Sequence, residues 1–241
     1  MLYLKYYFTT FLLVSSLISK GQHTFRTQWH SWFRYYNQAT LNKNFVLHTE
    51  IDERILYNPS RQFQFFTHIH LHYRVKPWLD VAAGGNFNLT NSAVNTSLAV
   101  PEWRPWQEVS LISNEAKQWQ FQFRYRLDER FIHNNDKLEL TEGYHFNLRH
   151  RFRVQASVLL FSWHNAQSLT LRVSDEVMLN TGDVPRWFDQ NRLYAGLTVR
   201  FNDRWSLESG YLNLLQPKTD SEFYERNIIR TTLYHRIRLG N

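Results

Sequence analysis

Long runs in which apolar and polar side chains alternate are the feature that most restricts the fold of this chain. In residues 118–131, large apolar side chains take every second position, and arginine, glutamine and acidic side chains mostly take the others. Residues 61–74 and 142–158 repeat the pattern. A period of two gives an extended strand one apolar face and one polar face. Helical spacing is not sustained anywhere after the amino terminus, so the alternation predicts an all-β protein.

The same alternation predicts ten β-strands from residue 43 onwards. Most are 10 to 14 residues long, whereas ordinary strands have about 5–6 residues and a tilted strand that crosses a bilayer needs roughly 9–11. The segment Thr24–Tyr36 also alternates, and it is either an eleventh strand or a segment inside the lumen. We expect the ten strands at about residues 43–56, 61–74, 79–90, 104–113, 118–131, 142–158, 167–178, 190–201, 204–215 and 226–239.

The predicted fold class is an antiparallel up-and-down transmembrane β-barrel of 10–12 strands, formed by a single domain over residues 22–241. Residues 22–42 are the extra strand or lumen segment. Single-chain bacterial barrels have even strand counts, short turns at the periplasmic end and longer loops at the other. Ten strands would place both chain ends on the periplasmic side. The sequence indicates short turns at 75–78, 114–117 and 202–203, and longer loops near 91–103, 132–141, 179–189 and 215–226.

A soluble β-sandwich or lipocalin-like barrel is the structural alternative, and the choice of polar residues argues against it. Such a protein would expose mostly Lys, Glu, Ser and Thr. This chain has 21 Arg against 7 Lys, and its polar faces are rich in Arg, Gln, His and Asn. Aromatic residues, 17% of the chain, dominate the other face, as on the lipid-facing side of membrane barrels. We therefore expect the aromatic face to contact lipid and the arginines to point inwards, where bidentate pairing suits them.

The first 21 residues have the form of a secretory signal peptide. Lys5 precedes an apolar core from Tyr6 to Ile18, and small and polar residues follow where cleavage would fall. The expected location is the outer membrane, with its lipid and a small anionic solute as partners and no nucleic acid. The absence of cysteine excludes disulfides, thiolate metal ligands and a cysteine nucleophile.

The strand phases place fourteen arginines and six carboxylates in the lumen, an excess of eight positive charges. Ion pairs would fill and brace the interior, or the excess charge would attract anions; both interpretations stay open at this point. The predicted lumen charge cluster comprises Glu50, Asp52, Arg54, Glu108, Arg124, Arg126, Asp128, Arg130, Arg149, Arg151, Glu176, Arg192 and Glu208. The same phases add Arg74, Arg153, Arg172, Arg200, Arg230, Arg236 and Arg238.

Three histidines at alternate positions, His68, His70 and His72, share the polar face of one predicted strand. Two imidazoles at i and i+2 can share a metal ion if a neighbouring strand supplies a third ligand, and Glu50 or Asp52 is the candidate on the preceding strand. All three histidines cannot reach one ion, because they span about 13 Å. We expect no metal and no cofactor, with His68 and His70 as weak metal-ligand candidates and hydrogen-bonded filling of the lumen as the favoured role.

A catalytic signature is missing from the sequence. No Gly-x-Ser-x-Gly, phosphate-loop or dinucleotide-binding glycine pattern occurs, and Ser110, Ser157 or Ser174 could be joined to His145 only by arbitrary choice. The favoured function is a narrow anion-favouring pore, a small-solute binder or a structural component. The alternatives are a lipid-acting hydrolase of the outer membrane and a soluble periplasmic ligand-binding β-barrel.

Several short motifs, in their order along the chain, resemble the family called domain of unknown function 2490. That resemblance covers about residues 22–239. It implies an exported, β-rich outer-membrane barrel of Gram-negative bacteria, and it implies no activity, cofactor or catalytic residue. The motifs that carry it are Glu50–Arg54, Arg124–Arg126, Glu129–Arg130, Ser174–Asn180, Phe188–Leu197 and Glu208–Asn213.

Overall fold

The computed structural model describes residues 23–92, 97–113, 118–163 and 166–239, and the predicted signal peptide lies outside this range. Within the described residues the fold is all-β, with strands of 13 to 23 residues. No helix in this part of the chain is long and apolar enough to cross a membrane. The strands are β1 (Thr24–Thr40), β2 (Phe45–Tyr57), β3 (Arg61–Lys76), β4 (Leu79–Asn91), β5 (Ala99–Ile112), β6 (Trp119–Asn135), β7 (Leu140–Ser162), β8 (Ser168–Gly182), β9 (Phe188–Arg200), β10 (Trp205–Pro217) and β11 (Glu222–Arg238).

The eleven described strands form one closed barrel, which confirms the predicted all-β barrel of 10–12 strands. Each strand pairs antiparallel with the next along the chain, and β1 closes the barrel by pairing parallel with β11 from Thr24↔Glu222 to Thr40↔Arg238. Thr24–Tyr36, which the sequence left as either an extra strand or a segment inside the lumen, therefore belongs to β1 in the barrel wall. The expectation of an even count with both ends on one side was wrong. Eleven strands are joined by ten antiparallel steps, and an even number of reversals leaves the first and last strands running in the same direction, so Thr24 and Arg238 lie at opposite ends of the barrel.

The predicted contrast between short turns and long loops was also wrong. Strand β5 already begins at Ala99, β6 continues to Asn135 and β8 continues to Gly182. The connections at the end that holds Arg238, which we call the A end, are residues 41–44, 77–78, 113–118, 163–167 and 201–204; those at the opposite B end are 58–60, 92–98, 136–139, 183–187 and 218–221. The two sets are similar in length. Pro101 and Pro105 concealed the start of β5, since proline cannot donate to a strand ladder, and Arg104 and Pro105 indeed have no partner in the β5–β6 register.

The two faces of the wall have opposite chemistry. Phe121, Val154 and Leu193 point outwards and are 53%, 60% and 53% exposed. The intervening residues point into the barrel, where Trp106 is 1% exposed and Asp128 and Glu208 are fully buried. The barrel thus has an apolar outside and a charged inside, the reverse of a soluble β-protein. The regular pairing of β2 with β3 is interrupted by a bulge between Arg54 and Ile55. Arg54 pairs with Gln64 and Ile55 with Gln62, so Phe63 has no partner on β2.

Candidate functional site

The inward faces of the eleven strands enclose a cavity of about 890 Å³. Its lining reaches Thr40 and Ile112 near the A end, and Thr90 and Gln216 near the B end. Fifteen arginines and six carboxylates line it, and Asp128, Asp189 and Glu208 are buried among them. Among the described residues, arginines therefore exceed carboxylates by six. The cavity is the candidate functional site.

One side of the lumen, on β5 to β8, is a dense network of ion pairs that we call the arginine wall. Its members are Glu102, Arg104, Glu108, Arg124, Arg126, Asp128, Arg130, Arg149, Arg151 and Glu176. Arg151 donates to both carboxylate oxygens of Glu176, each at 3.1 Å, and Arg124 pairs with the same carboxylate. Arg126 donates to Glu108 at 2.7 Å and Arg130 to Glu102 at 2.6 Å. Bidentate, charge-assisted bonds of this kind fix both partners, so this wall is a rigid brace.

Glu208 organises a second group of charged residues, on β8 to β11. This fully buried carboxylate pairs with Arg172 and with Arg230, the latter at 2.9 Å, and Tyr194 and Thr198 donate hydroxyl hydrogen bonds to it at 2.9 and 3.0 Å. Gly196 and Gly210 lie opposite each other across β9 and β10. A Cβ at Gly196 would stand 2.1 Å from the Tyr194 hydroxyl, so these glycines make room for the Tyr194 side chain.

A third group of charged residues lies on β1 to β3, and aromatic rings hold its Arg54 side chain in place. The Arg54 guanidinium lies 3.8 Å from the centre of the Trp32 ring and 4.1 Å from that of Phe66. It also pairs with Asp52 at 3.2 Å. On the same strands, Arg34 pairs with Glu50 at 3.1 Å. Stacking on desolvated aromatic faces adds to the ion pair and keeps the guanidinium fixed.

The structure places all thirteen residues of the predicted lumen charge cluster inside the barrel: Glu50, Asp52, Arg54, Glu108, Arg124, Arg126, Asp128, Arg130, Arg149, Arg151, Glu176, Arg192 and Glu208. These residues do not form one cluster; they belong to separate groups on different parts of the barrel wall. Two of the further arginines do not belong to the lumen interior: Arg238 is exposed at the A end, and Arg200 pairs with Asp203 in the adjoining turn.

The sequence reasoning missed Arg34, Glu102, Arg104, Asp189 and Arg226. Arg34 lies on β1, whose role was left open. Glu102 precedes the strand predicted at residues 104–113 and Arg104 begins it. The alternation of Glu102, Arg104, Trp106 and Glu108 through the prolines was nevertheless a usable signal. Asp189 pairs with Arg149 at 3.0 Å, from a segment that was interpreted as loop.

Five cavity-lining arginines form no ion pair with any described residue: Arg74, which is exposed near the A end, and four that are at least partly buried. Arg153 donates to the Gln122 side chain at 3.1 Å and Arg192 lies 3.4 Å from that of Gln190. Arg236 donates to Ser206 at 2.8 Å, and Arg226 donates to two glutamine side chains. Neutral partners leave the guanidinium charge uncompensated, so these positions carry most of the lumen's excess positive charge.

The predicted histidine row is only partly a cluster. His70 and His72 are joined by a 3.0 Å contact between Nδ1 of the first and Nε2 of the second, and the third nearby imidazole is His48 on β2. His68 lies outside this group and stacks on Phe66. Glu50 accepts from His70 Nε2 at 3.0 Å, and Asp52 bonds to Arg54. We call His48, His70 and His72 the histidine cluster.

The three serines that the sequence could join to His145 only by arbitrary choice form no described hydrogen bond with a histidine. Ser110 donates to Glu108 at 3.3 Å and accepts from Gln122 at 3.2 Å. None of the contacts described for Ser157 or Ser174 joins either of them to His145. No described contact therefore joins any of these three serines to His145 as its base.

Comparison with known proteins agrees with the resemblance noted in the sequence. Residues 29–225 match the family described as "Protein of unknown function (DUF2490)". The match extends from β1 into β11 and includes all thirteen residues of the predicted lumen charge cluster. Neither the curated proteins nor the solved structures contain a match to this chain. The chain belongs to the DUF2490 family.

Proposed function

We propose that this protein is an outer-membrane β-barrel whose basic lumen admits or binds small anionic solutes. The observation that carries the proposal is the set of arginines without carboxylate partners in a cavity of about 890 Å³. That volume is within the range of about 300–1,000 Å³ usual for small-molecule sites. A lumen lined by an excess of one sign of charge concentrates ions of the opposite sign.

The outer surface supports a membrane location. Apolar side chains project outwards along the strands, and a closed barrel satisfies its backbone hydrogen bonds without solvent, as a hydrocarbon environment requires. Tryptophan rings are exposed near the strand ends, where the two interfaces of a bilayer would be, as in the aromatic belts of membrane proteins. They are Trp29, Trp78, Trp103, Trp119, Trp163 and Trp187.

The charge distribution favours a solute role over a purely structural one. Bracing the barrel requires carboxylates to match the arginines, as Glu176 and Glu208 do. Arg153 and Arg192 exceed that requirement, because among the described residues their side-chain hydrogen bonds go only to glutamine side chains. Their uncompensated charges repel the neighbouring arginines, which costs stability that a bound anion would restore.

Ion selectivity in a planar bilayer tests the proposal. The purified protein is reconstituted, a KCl gradient is applied and the reversal potential is measured. We expect a potential of the sign that indicates preferred chloride passage, and a smaller one after Arg153→Gln. Where no current flows, calorimetric titration with citrate or pyrophosphate tests the binding form of the proposal. A cation-selective current, or no current together with no anion binding, would contradict it. Recovery of the protein in the soluble fraction without detergent would contradict the membrane location.

A further inference from the structure

The histidine cluster has the geometry of a metal site assembled from two neighbouring strands. His48 on β2 lies directly opposite His70 on β3, and His72 follows two residues later on the same face. One ligand nitrogen from each ring lies within 4.8 Å of the other two. In a tetrahedral zinc site, with Zn–N bonds of about 2.0–2.1 Å, ligand nitrogens are about 3.3–3.4 Å apart. Small side-chain rotations would therefore bring the three nitrogens to one ion.

A hydrogen-bond partner holds the other nitrogen of each ring. Glu50 Oε1 lies 3.0 Å from His70 Nε2, and Asp80 Oδ1 lies 2.6 Å from His72 Nδ1. The Tyr36 hydroxyl lies 2.5 Å from His48 Nδ1. Histidines that ligate metals are usually oriented in this way, with the second ring nitrogen bonded to a carboxylate or another oxygen. The cluster therefore already has the outer shell of a metal site.

These bonds determine where the lone pairs of two rings point. A carboxylate only accepts, so His70 Nε2 and His72 Nδ1 donate in these bonds, which selects the neutral tautomer in which the other ring nitrogen is the acceptor. The remaining nitrogens, His70 Nδ1 and His72 Nε2, then face each other with lone pairs at 3.0 Å. Two facing lone pairs repel unless a cation lies between them. That cation is either a shared proton or a metal ion, and a third imidazole, His48, with a nitrogen within 4.8 Å of one on each of the other two rings favours the metal.

The surroundings hold the cluster in place. His48 and His70 are buried, and the Trp106 ring packs 4.9 Å from the His70 ring. A Cβ at Gly84, directly across from His70 on β4, would lie 2.3 Å from the His70 Cβ, so glycine allows β4 to approach the His70 backbone and Cβ this closely. Glu50 and Asp80 place two carboxylates beside the cluster; Glu50 is also paired with Arg34, and Asp80 adds a second negative charge that favours a cation in an otherwise basic lumen.

We propose that His48, His70 and His72 bind one divalent transition-metal ion of the imidazole-preferring class, with Zn²⁺ as the reference ion. Three protein ligands leave the fourth tetrahedral position open for water or an anion from the lumen, as in catalytic rather than structural zinc sites. Tyr36, Glu50 and Asp80 act as positioning residues. The site goes beyond the proposed anion role and does not depend on it, since it lies in the lumen whether or not the barrel conducts.

Metal titration of the full chain tests the proposal. The protein is purified without a polyhistidine tag, stripped with a chelator, and titrated with Co²⁺ by visible absorption and with Zn²⁺ by calorimetry. We expect one ion per chain, tetrahedral Co²⁺ bands, and displacement of Co²⁺ by Zn²⁺. His72→Gln and His48→Gln abolish stoichiometric binding, whereas the matched control His68→Gln, on the same face of β3, leaves the affinity unchanged.

A second, milder variant changes a positioning residue and keeps all three histidine ligands. Asp80→Asn is expected to weaken metal affinity by about 10–100-fold, the usual effect of losing an outer-shell carboxylate, while heat-modifiable gel mobility verifies that the barrel is folded. The absence of one-to-one binding to the folded wild-type chain would overturn the proposal. Equal loss of affinity in His68→Gln would also overturn it, because binding would then be a property of the whole histidine row.

Discussion

The arginine wall and the histidine cluster are two regions of one lumen that use buried polar groups in different ways. On the arginine wall, every strand from β5 to β8 contributes guanidinium or carboxylate groups that are joined to each other, such as Arg126 with Glu108 at 2.7 Å. In the histidine cluster, the carboxylates of Glu50 and Asp80 bond to the outer nitrogens of two imidazoles. The other nitrogens of these two rings, His70 Nδ1 and His72 Nε2, face each other.

This difference teaches which buried groups hold the barrel together and which are available to ligands. An arginine keeps its charge, so where a carboxylate faces it the pair suits permanent cross-strand bracing. A neutral histidine is also an acceptor, and once a carboxylate holds one nitrogen the other can bind a metal ion or a proton. We therefore expect substitutions on the arginine wall to affect folding most, and those in the histidine cluster to affect ligand binding most.

The largest effect is expected from Glu176→Gln on the arginine wall. This change leaves the guanidinium groups of Arg124 and Arg151 without their shared counter-charge. Breaking a buried ion pair by removing one partner costs about 3–5 kcal/mol. Urea unfolding in lipid vesicles or detergent measures the loss. Glu139→Gln, at an exposed position in the 136–139 connection, is the matched control and should change the free energy of unfolding by less than about 0.5 kcal/mol.

A smaller loss of stability is expected from His70→Gln in metal-free protein. Glu50 loses one hydrogen bond but keeps its ion pair with Arg34, so the cost is that of one bond to a charged group, about 1.5–3 kcal/mol. The same urea titration, in the presence of a chelator, measures it. If this variant were destabilised as much as Glu176→Gln, the two regions would not differ and the comparison would fail.

The smallest effect on stability is expected from Arg153→Gln, which is two positions from Arg151 on the same face of β7. Arg153 bonds only to Gln122 among the described residues, so we expect a change within about 1 kcal/mol. The ion selectivity should nevertheless shift towards cations, because an uncompensated charge has been removed from the lumen. Reversal potentials of Arg153→Gln and wild type provide the measurement. Unchanged selectivity would mean that these unpaired arginines do not set the field of the lumen.

Most of the wall could be predicted from the sequence because alternation is a local property. The ten strands from residue 43 onwards are all present, and the interior position of residues such as Glu108, Arg124 and Glu208 followed directly from their phase. Closure could not be predicted in this way. The pairing of β1 with β11 joins residues about 200 positions apart, for example Thr24 with Glu222, and no local pattern reports it.

The details of the site depended on register, which alternation does not determine. His48 was overlooked because it lies 22 residues before His70 in the sequence, and only the β2–β3 register brings them opposite each other. Glu50 was considered as a metal ligand, whereas its carboxylate holds the outer nitrogen of His70. Arg104 was missed for a different reason. The two prolines of β5 argued against a strand there, although its inward-facing residues follow a regular alternation.

The orientation of the wall can be tested most directly with two adjacent residues on β8. Val173 points outwards and is 41% exposed, and Ser174 lines the cavity. Because the chain has no cysteine, Val173→Cys and Ser174→Cys each give a single site for a fluorophore in reconstituted vesicles. We predict that phospholipids brominated in their acyl chains quench the label at 173 and leave that at 174 unaffected, while aqueous iodide quenches the label at 174 only. Iodide quenching at 173 without quenching by brominated lipid would contradict the account.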